Sequence, residues 1–256
     1  TGEHVFLNFD GAYQHTYEYV SGKYVGENHY GYNSFSFEIS DYITWSNSSK
    51  NLIAVKVVND IPNSRWYSGS GIYRDVSLSV AGPVHVSLYG PRLTTPNVQN
   101  GDGTVEATIK FHNDTAISKK VSIEATILDD NHNPVSSTVK SNMITVPAET
   151  EKEVVLSPSV DSPELWSLDN PKLYKLKTVV RAENGEIIDE YHTTFGYRYI
   201  EWDRDGGFKL NGEYMKLKGV CLHHDQGALG AVQEYEAIYR QLVTLKEMGC
   251  NAIRTS

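Results

Sequence analysis

The chain has 256 residues, with 23 Lys and Arg against 32 Asp and Glu and a formal net charge of −9, an excess of acid that argues against nucleic acid as a partner, because such binding draws on Lys and Arg neutralising phosphates. At 39% hydrophobic and 21% charged residues, it can bury a core in roughly two domains and is neither disordered nor fibrous. Two cysteines, Cys221 and Cys250, exclude a disulfide scaffold and a thiolate zinc cage.

From Val5 to Ser79 short β-rich runs alternate with turn residues. Tyr17 and Tyr19 keep a two-residue period before Ser21-Gly22-Lys23, which predicts a hairpin turn into Tyr24-Val25. Phe35, Phe37 and Ile39 continue that period, and Leu52 to Val58 and Ile72 to Val80 supply further strands. The first strand candidate begins almost at residue 1, so this domain is expected to be truncated at its N-terminus. The tyrosine-rich aromatic set, 17 Tyr against 7 Phe and 4 Trp, suits a pleated sheet and equally a surface that stacks on sugar rings.

Ala81-Gly82-Pro83 punctuates the chain, and a second series of strands is predicted at Val84 to Tyr89, Val105 to Phe111, Val121 to Leu128, Val135 to Val139, Glu153 to Leu156, Leu173 to Arg181 and Ile187 to Phe195. Seven short strands separated by turns such as Asn184-Gly185 are the signature of an immunoglobulin-like sandwich. No cysteine pair is available to join its sheets, so packing alone must hold it.

After Phe195-Gly196 the grammar changes. An Asn211-Gly212 turn joins two short runs, and Lys218 to His223 follows as one strand. Tyr235, Ile238, Gln241-Leu242, Leu245 and Met248 then recur at helical spacing up to Gly249, a C′ glycine. Asn251 to Arg254 opens another strand. One strand-helix-strand unit cannot cover both faces of a parallel sheet, so residues 197–256 are expected to begin a larger (β/α) domain. No apolar run approaches the ~18 residues of a membrane span.

Several runs carry a family resemblance. Ser64-Arg65-Trp66-Tyr67-Ser68-Gly69-Ser70-Gly71-Ile72-Tyr73-Arg74 closely resembles the end of the sugar-binding domain of glycoside hydrolase family 2, the β-galactosidase and β-glucuronidase family; Phe9-Asp10-Gly11-Ala12, Val25-Gly26 and Leu52 to Val57 are similar to other landmarks of that domain. Leu217 to Asp225 resembles the family's first barrel strand, with Cys221 replacing a more usual asparagine. Asn251 to Ser256 matches the opening of the family signature. The resemblance implies a mainly β chain in three parts: a partial jelly-roll-like sandwich over 1–82, an immunoglobulin-like sandwich over 83–196, and the first β/α unit of a TIM barrel over 197–256, truncated at its C-terminus.

The resemblance also implies site residues. His223, at the carboxyl end of the first barrel strand, would hydrogen-bond a sugar hydroxyl, against the alternative of a satisfied core histidine. Arg254, one βα unit later, would lie in the substrate pocket, with a structural salt bridge as its competitor. Asp225 either shapes the pocket wall or caps the turn through Gln226-Gly227. Arg65 is expected at the substrate rim, while Trp66 offers a stacking face there or packs a domain interface. Neighbours on a strand point to opposite faces, so His223 and His224 are not expected to share a metal ion. Cys221 and Cys250 are expected as free thiols, and Glu183 and Glu186 as solvated turn residues. Asn47-Ser48-Ser49 and Asn113-Asp114-Thr115 fit the glycosylation sequon, a pattern frequent by chance.

Retaining glycosidases need two carboxylates about 5 to 5.5 Å apart. In the family the acid/base follows an asparagine, and no Asn-Glu dipeptide occurs in these 256 residues. No catalytic residue is therefore assigned, and the chain alone is expected to be inactive. The resemblance implies a parent enzyme hydrolysing terminal β-linked sugars, most like a β-galactosidase, with carbohydrate as the partner and no obligatory cofactor, although some members use Mg²⁺ or Na⁺. Exposed strand edges would favour association into a homo-oligomer. The alternatives are a β-glucuronidase or β-mannosidase of the same family, or a non-catalytic carbohydrate-binding or adhesion module.

Overall fold

The computed structural model describes residues 3–46, 48–60 and 68–255. Strands account for 49% of the described residues and helix for 8%, so the fold is mainly β. Two compact units are present: one comprises residues 3–80 with 217–255, the other 81–216.

In the first unit, two three-stranded sheets form a sandwich. One orders Phe35–Glu38, His4–Phe9 and Val76–Ala81; the other orders Lys23–Asn28, His15–Val20 and Ile53–Val58. Alternation decides which face is buried: Thr16, Glu18 and Val20 point inward while His15, Tyr17 and Tyr19 do not. Val5, Leu7, Phe9, Val20 and Ile39 form the buried core, with Val25, Phe35, Phe37 and Val55 packed on it. Gly26 lets the sheets approach closely, since a Cβ there would sit 2.4 Å from the Phe37 ring. The turn expected at Ser21-Gly22 is present, with both residues at positive φ, 49° and 81°. Outside this core, buried Asn8 accepts from the Ser36 hydroxyl at 2.7 Å and donates to Ser79 Oγ at 2.8 Å, tying the three strands of the first sheet together.

The run expected as one strand from Ile72 to Val80 is two. Gly71–Ile72 pairs with Ala12–Tyr13, and Val76–Ala81 pairs elsewhere. Tyr73 turns inward between them, 3% exposed, and donates its hydroxyl to Gly31 O at 2.8 Å.

The second unit is a sandwich of two sheets. Glu106–Asn113 pairs with Arg92–Thr94, Thr150–Leu156 and Val84–Val86 in one, and Lys119–Leu128 pairs with Tyr174–Ala182, Val139–Lys140 and Ile144–Val146 in the other, where Ile187–Phe195 adds to Tyr174–Ala182. Inward residues of the long strands, including Ile109, Phe111, Ile123, Ile127 and Leu176, are fully buried and supply the packing that replaces an inter-sheet disulfide. The strand expected over Val135 to Val139 survives only as Val139–Lys140. Pro134 has no N–H to give, and at Ser136 the side-chain oxygen accepts from Ile127 N at 2.8 Å in place of a ladder carbonyl. Glu183 and Glu186 are exposed beside the Asn184-Gly185 turn. Glu124 is a partly buried acid: burial pushes its carboxyl up, but Arg181 at 2.8 Å and Lys140 at 3.2 Å outweigh that and hold it below the usual range.

The Asn113 sequon is structural. Its amide is fully buried and donates to the carbonyls of Ile117, Val146 and Pro147 at 2.9 to 3.1 Å, leaving no nitrogen for a glycan. Asn47, in the other sequon, lies outside the described residues.

Tyr197 closes this unit. It is wholly buried, packs edge-on against Tyr174 and Phe195, and donates to Gly103 O at 2.8 Å. Burial holds its hydroxyl far above the usual range, so it remains a donor. Removing only that oxygen in Tyr197→Phe leaves the Gly103 carbonyl unpaired and is expected to cost about 1–3 kcal/mol; an unchanged urea midpoint would show that water replaces the hydroxyl.

Near the C-terminus, Gly219–Leu222 and Ala252–Thr255 pair in parallel across the helix Tyr235–Glu247. The helix ends at Gly249, φ 93°, as its position after the last apolar repeat predicts. Gly219 permits the strand contact, since a Cβ there would lie 2.5 Å from Ala252 O. No residue of the helix is buried, and Tyr239, Leu242 and Val243 remain exposed. Cys221 and Cys250 are free. Among the described residues no helix is long and apolar enough to cross a membrane.

Candidate functional site

The βαβ segment and the residues 3–80 sandwich belong to one compact unit, and tyrosines form the seat between them. His224 is 7% exposed, stacked on the Tyr73 ring at 5.5 Å and edge-on to Tyr32 at 5.4 Å; Tyr32 in turn meets Tyr13 at 5.3 Å. Two of these rings fit because glycines face them: a Cβ on Gly11 would lie 2.8 Å from the Tyr73 ring, and one on Gly31 2.3 Å from the Tyr13 ring. Below the seat, Gln233 N donates to Tyr73 O at 2.8 Å, and Ala231 packs where a Cβ on Gly69 would lie 2.5 Å away.

Both ring nitrogens of His224 are buried without a hydrogen-bond partner. Burial depresses its pKa, and the charges of Arg74 and His223 push the same way against Asp225, so the ring is neutral at pH 7. Arg74 itself lies over the Tyr73 ring, 5.2 Å from the centroid.

Beside this seat opens a cleft of about 480 Å³, lined by polar groups including Asp10, Arg74, Asp75, His223 and Glu234 and by apolar side chains of the helix and the two parallel strands. His223 is exposed and lines it at the end of Gly219–Leu222, so an imidazole, a guanidinium and carboxylates can meet a polar ligand there.

The structure treats the other sequence candidates differently. Arg254 is exposed and sits opposite Cys221 in the parallel register, whereas Leu222, Ile253 and Thr255 line the cleft; the two-residue period therefore puts Arg254 on the other face of the strand pair. Asp225 is exposed and accepts from Gly227 N at 3.0 Å, which is the turn-capping arrangement. Arg65 and Trp66 lie outside the described residues. Sequence reading missed Tyr32, Gln233 and Ala231 as parts of the seat. The paired glycines at 11 and 31 were the available signal, and it becomes readable only once the tyrosines they admit are known.

Residues 1–82 match the sequence model for the glycosyl hydrolases family 2 sugar binding domain, and residues 86–198 match that for glycosyl hydrolases family 2. The chain belongs to glycoside hydrolase family 2. It is 41% identical over 253 residues to a β-galactosidase from Bacteroides ovatus, a match covering 98% of this chain and 29% of that protein. The crystal structure of a family 2 member from Bacteroides cellulosilyticus superposes with a TM-score of 0.93 at 36% identity, over 100% of this chain and 34% of its own. A β-glucuronidase from Bacteroides uniformis gives a TM-score of 0.88 at 30% identity, over 100% of this chain and 31% of its own. The chain thus spans about a third of the length of these family 2 relatives.

Proposed function

We propose that these residues are the accessory β domains and the first β/α unit of a retaining exo-glycosidase that hydrolyses terminal β-linked sugars, most like a β-galactosidase, with the acid/base and the nucleophile supplied by further barrel strands. The observation that carries the reading is the parallel pair Gly219–Leu222 and Ala252–Thr255 joined by one helix, with His223 at the carboxyl end of its strand, where barrel enzymes place their chemistry. His223 would bind a sugar hydroxyl, and Arg254, on the opposite face of the strand pair from the cleft, would reach substrate from the barrel interior. Asp225 would hold the turn that presents His223. Arg65 and Trp66 would contribute from the sugar-binding domain. The 41% identity to a β-galactosidase favours that substrate over the glucuronide, and carbohydrate is the partner. No cofactor is required by this two-carboxylate chemistry.

Two assays test the reading. Full-length protein carrying this sequence is expected to turn over nitrophenyl β-galactoside faster than the glucuronide or mannoside, and a preference for either of those would move the assignment within the family. The 256-residue chain alone is expected to give no turnover; genuine hydrolysis by it would overturn the division of labour.

A further inference from the structure

We propose that His15 and His29, oriented by Glu27, form a surface site for a divalent transition metal of the borderline class, Zn²⁺, Ni²⁺ or Cu²⁺. The pair sits on the outer face of the sheet that contains His15–Val20. The antiparallel register pairs Thr16 with Asn28 and Tyr17 with Glu27, which sets His15 directly across from His29. The two Nδ1 atoms lie 3.1 Å apart. Two nitrogens bound at about 2.0–2.1 Å to one metal would be separated by about 2.9 Å at a right angle and about 3.4 Å at a tetrahedral angle. The observed spacing falls between these values.

In the metal-free chain His15 Nδ1–H donates to His29 Nδ1 across the 3.1 Å contact, and a metal takes the place of that proton once His15 adopts its Nε2–H tautomer. Glu27 Oε1 lies 2.9 Å from His29 Nε2, and a carboxylate there accepts, so Nε2 carries the proton. In the neutral ring His29 Nδ1 then holds a lone pair aimed at His15. A carboxylate on the far nitrogen of a metal-binding histidine is the usual arrangement that fixes tautomer and raises basicity. Glu27 is itself held by Tyr24, whose hydroxyl donates to Oε2 at 3.0 Å, and the Tyr17 ring meets His29 edge-on at 6.2 Å, limiting its rotation. His29 is 56% exposed, which leaves room for water to complete the coordination. Imidazole ligands select Cu²⁺, Ni²⁺ and Zn²⁺ over Mg²⁺ and Ca²⁺, with Cu²⁺ strongest.

The test is titration of the 256-residue chain with ZnCl₂ and NiCl₂, read by calorimetry and by the imidazole resonances of its histidines. The expected result is one equivalent bound, with the His15 and His29 signals moving first and together, and no response to MgCl₂. Glu27→Gln is expected to weaken binding by about 10- to 100-fold, and His15→Ala to remove the site. His15 is partly exposed at the start of its strand, so an unchanged thermal midpoint in the absence of metal shows that the variant is folded. The proposal is overturned if the first equivalent moves the His85 and His112 signals instead, if Glu27→Gln binds as tightly as the parent, or if no metal binds.

Discussion

Replacing Glu18 by leucine is expected to stabilise the sugar-binding sandwich by about 1–3 kcal/mol at neutral pH, the range for a buried polar group that lacks a partner. Glu18 is fully buried, and neither carboxylate oxygen has a hydrogen-bond partner; the Thr16 hydroxyl beside it is equally orphaned. Burial pushes the carboxyl pKa above its ordinary value of 4.5, and the charge of Glu27 adds to the rise. The folded chain therefore holds this proton more tightly than the unfolded one. Stability from that source is complete below pH 4.5 and is lost as pH rises through the folded value. Glu18→Leu should abolish this downward slope, and Glu18→Gln should flatten it with a smaller gain, since the amide is still buried. Amide exchange in His15–Val20, measured at acid and neutral pH, reads the effect on this unit without assuming that the whole chain unfolds in one step. A leucine variant less stable than the parent at neutral pH would mean that the Glu18 carboxylate is paired in the fold.

The second large effect belongs to Tyr73. Tyr73→Ala removes the ring that stacks on His224, supports Arg74 and fills the space left by Gly11, and truncating a buried aromatic typically costs about 3–5 kcal/mol. Amide protection in Gly219–Leu222 is expected to fall along with that of Ala12–Tyr13, because the seat of the βαβ segment is lost. Tyr73→Phe separates the contributions: it keeps the ring and leaves only the Gly31 carbonyl unpaired, at about 1–3 kcal/mol. Acid should act in the same direction. His224 has a depressed pKa in the fold, so the stability it brings is present above the ordinary imidazole value of 6.5 and is lost as pH falls through the folded value. Unaltered protection of Gly219–Leu222 in the alanine variant would show that the segment is held by Gln233 and Ala231 alone.

Periodicity was sufficient for the elements that bury one face. The alternation in His15–Val20 and the apolar spacing of Tyr235–Glu247 each gave the correct element type, and Gly22 and Gly249 marked a turn and a helix end because only positive φ fits there. It failed where the chain exchanges ladder bonds for side-chain bonds. Ser136 replaces a backbone acceptor, and Tyr73 interrupts a run of β-formers because its ring is needed inside. Short strands such as Asp102–Thr104 and Ser159–Asp161, which pair with each other, carry too few residues to show a period at all.

The site was legible in outline. The Ser64 to Arg74 and Leu217 to Asp225 runs of the sequence pointed to the family, and His223 does line the cleft. Asp225 was left between two roles, and in the fold it accepts from Gly227 N at 3.0 Å.

Composition, turn residues and hydrophobic period by themselves determined a mainly β chain ending in a strand-helix-strand unit, because those signals reside in neighbouring residues and need no partner. Only the tertiary structure decided that Glu18 is buried without a partner, that His224 rests on Tyr73, and that His15 and His29 meet nitrogen to nitrogen. Each depends on which strands lie side by side or which segment packs on another, and a pairing between distant residues leaves no trace in the local pattern of either one.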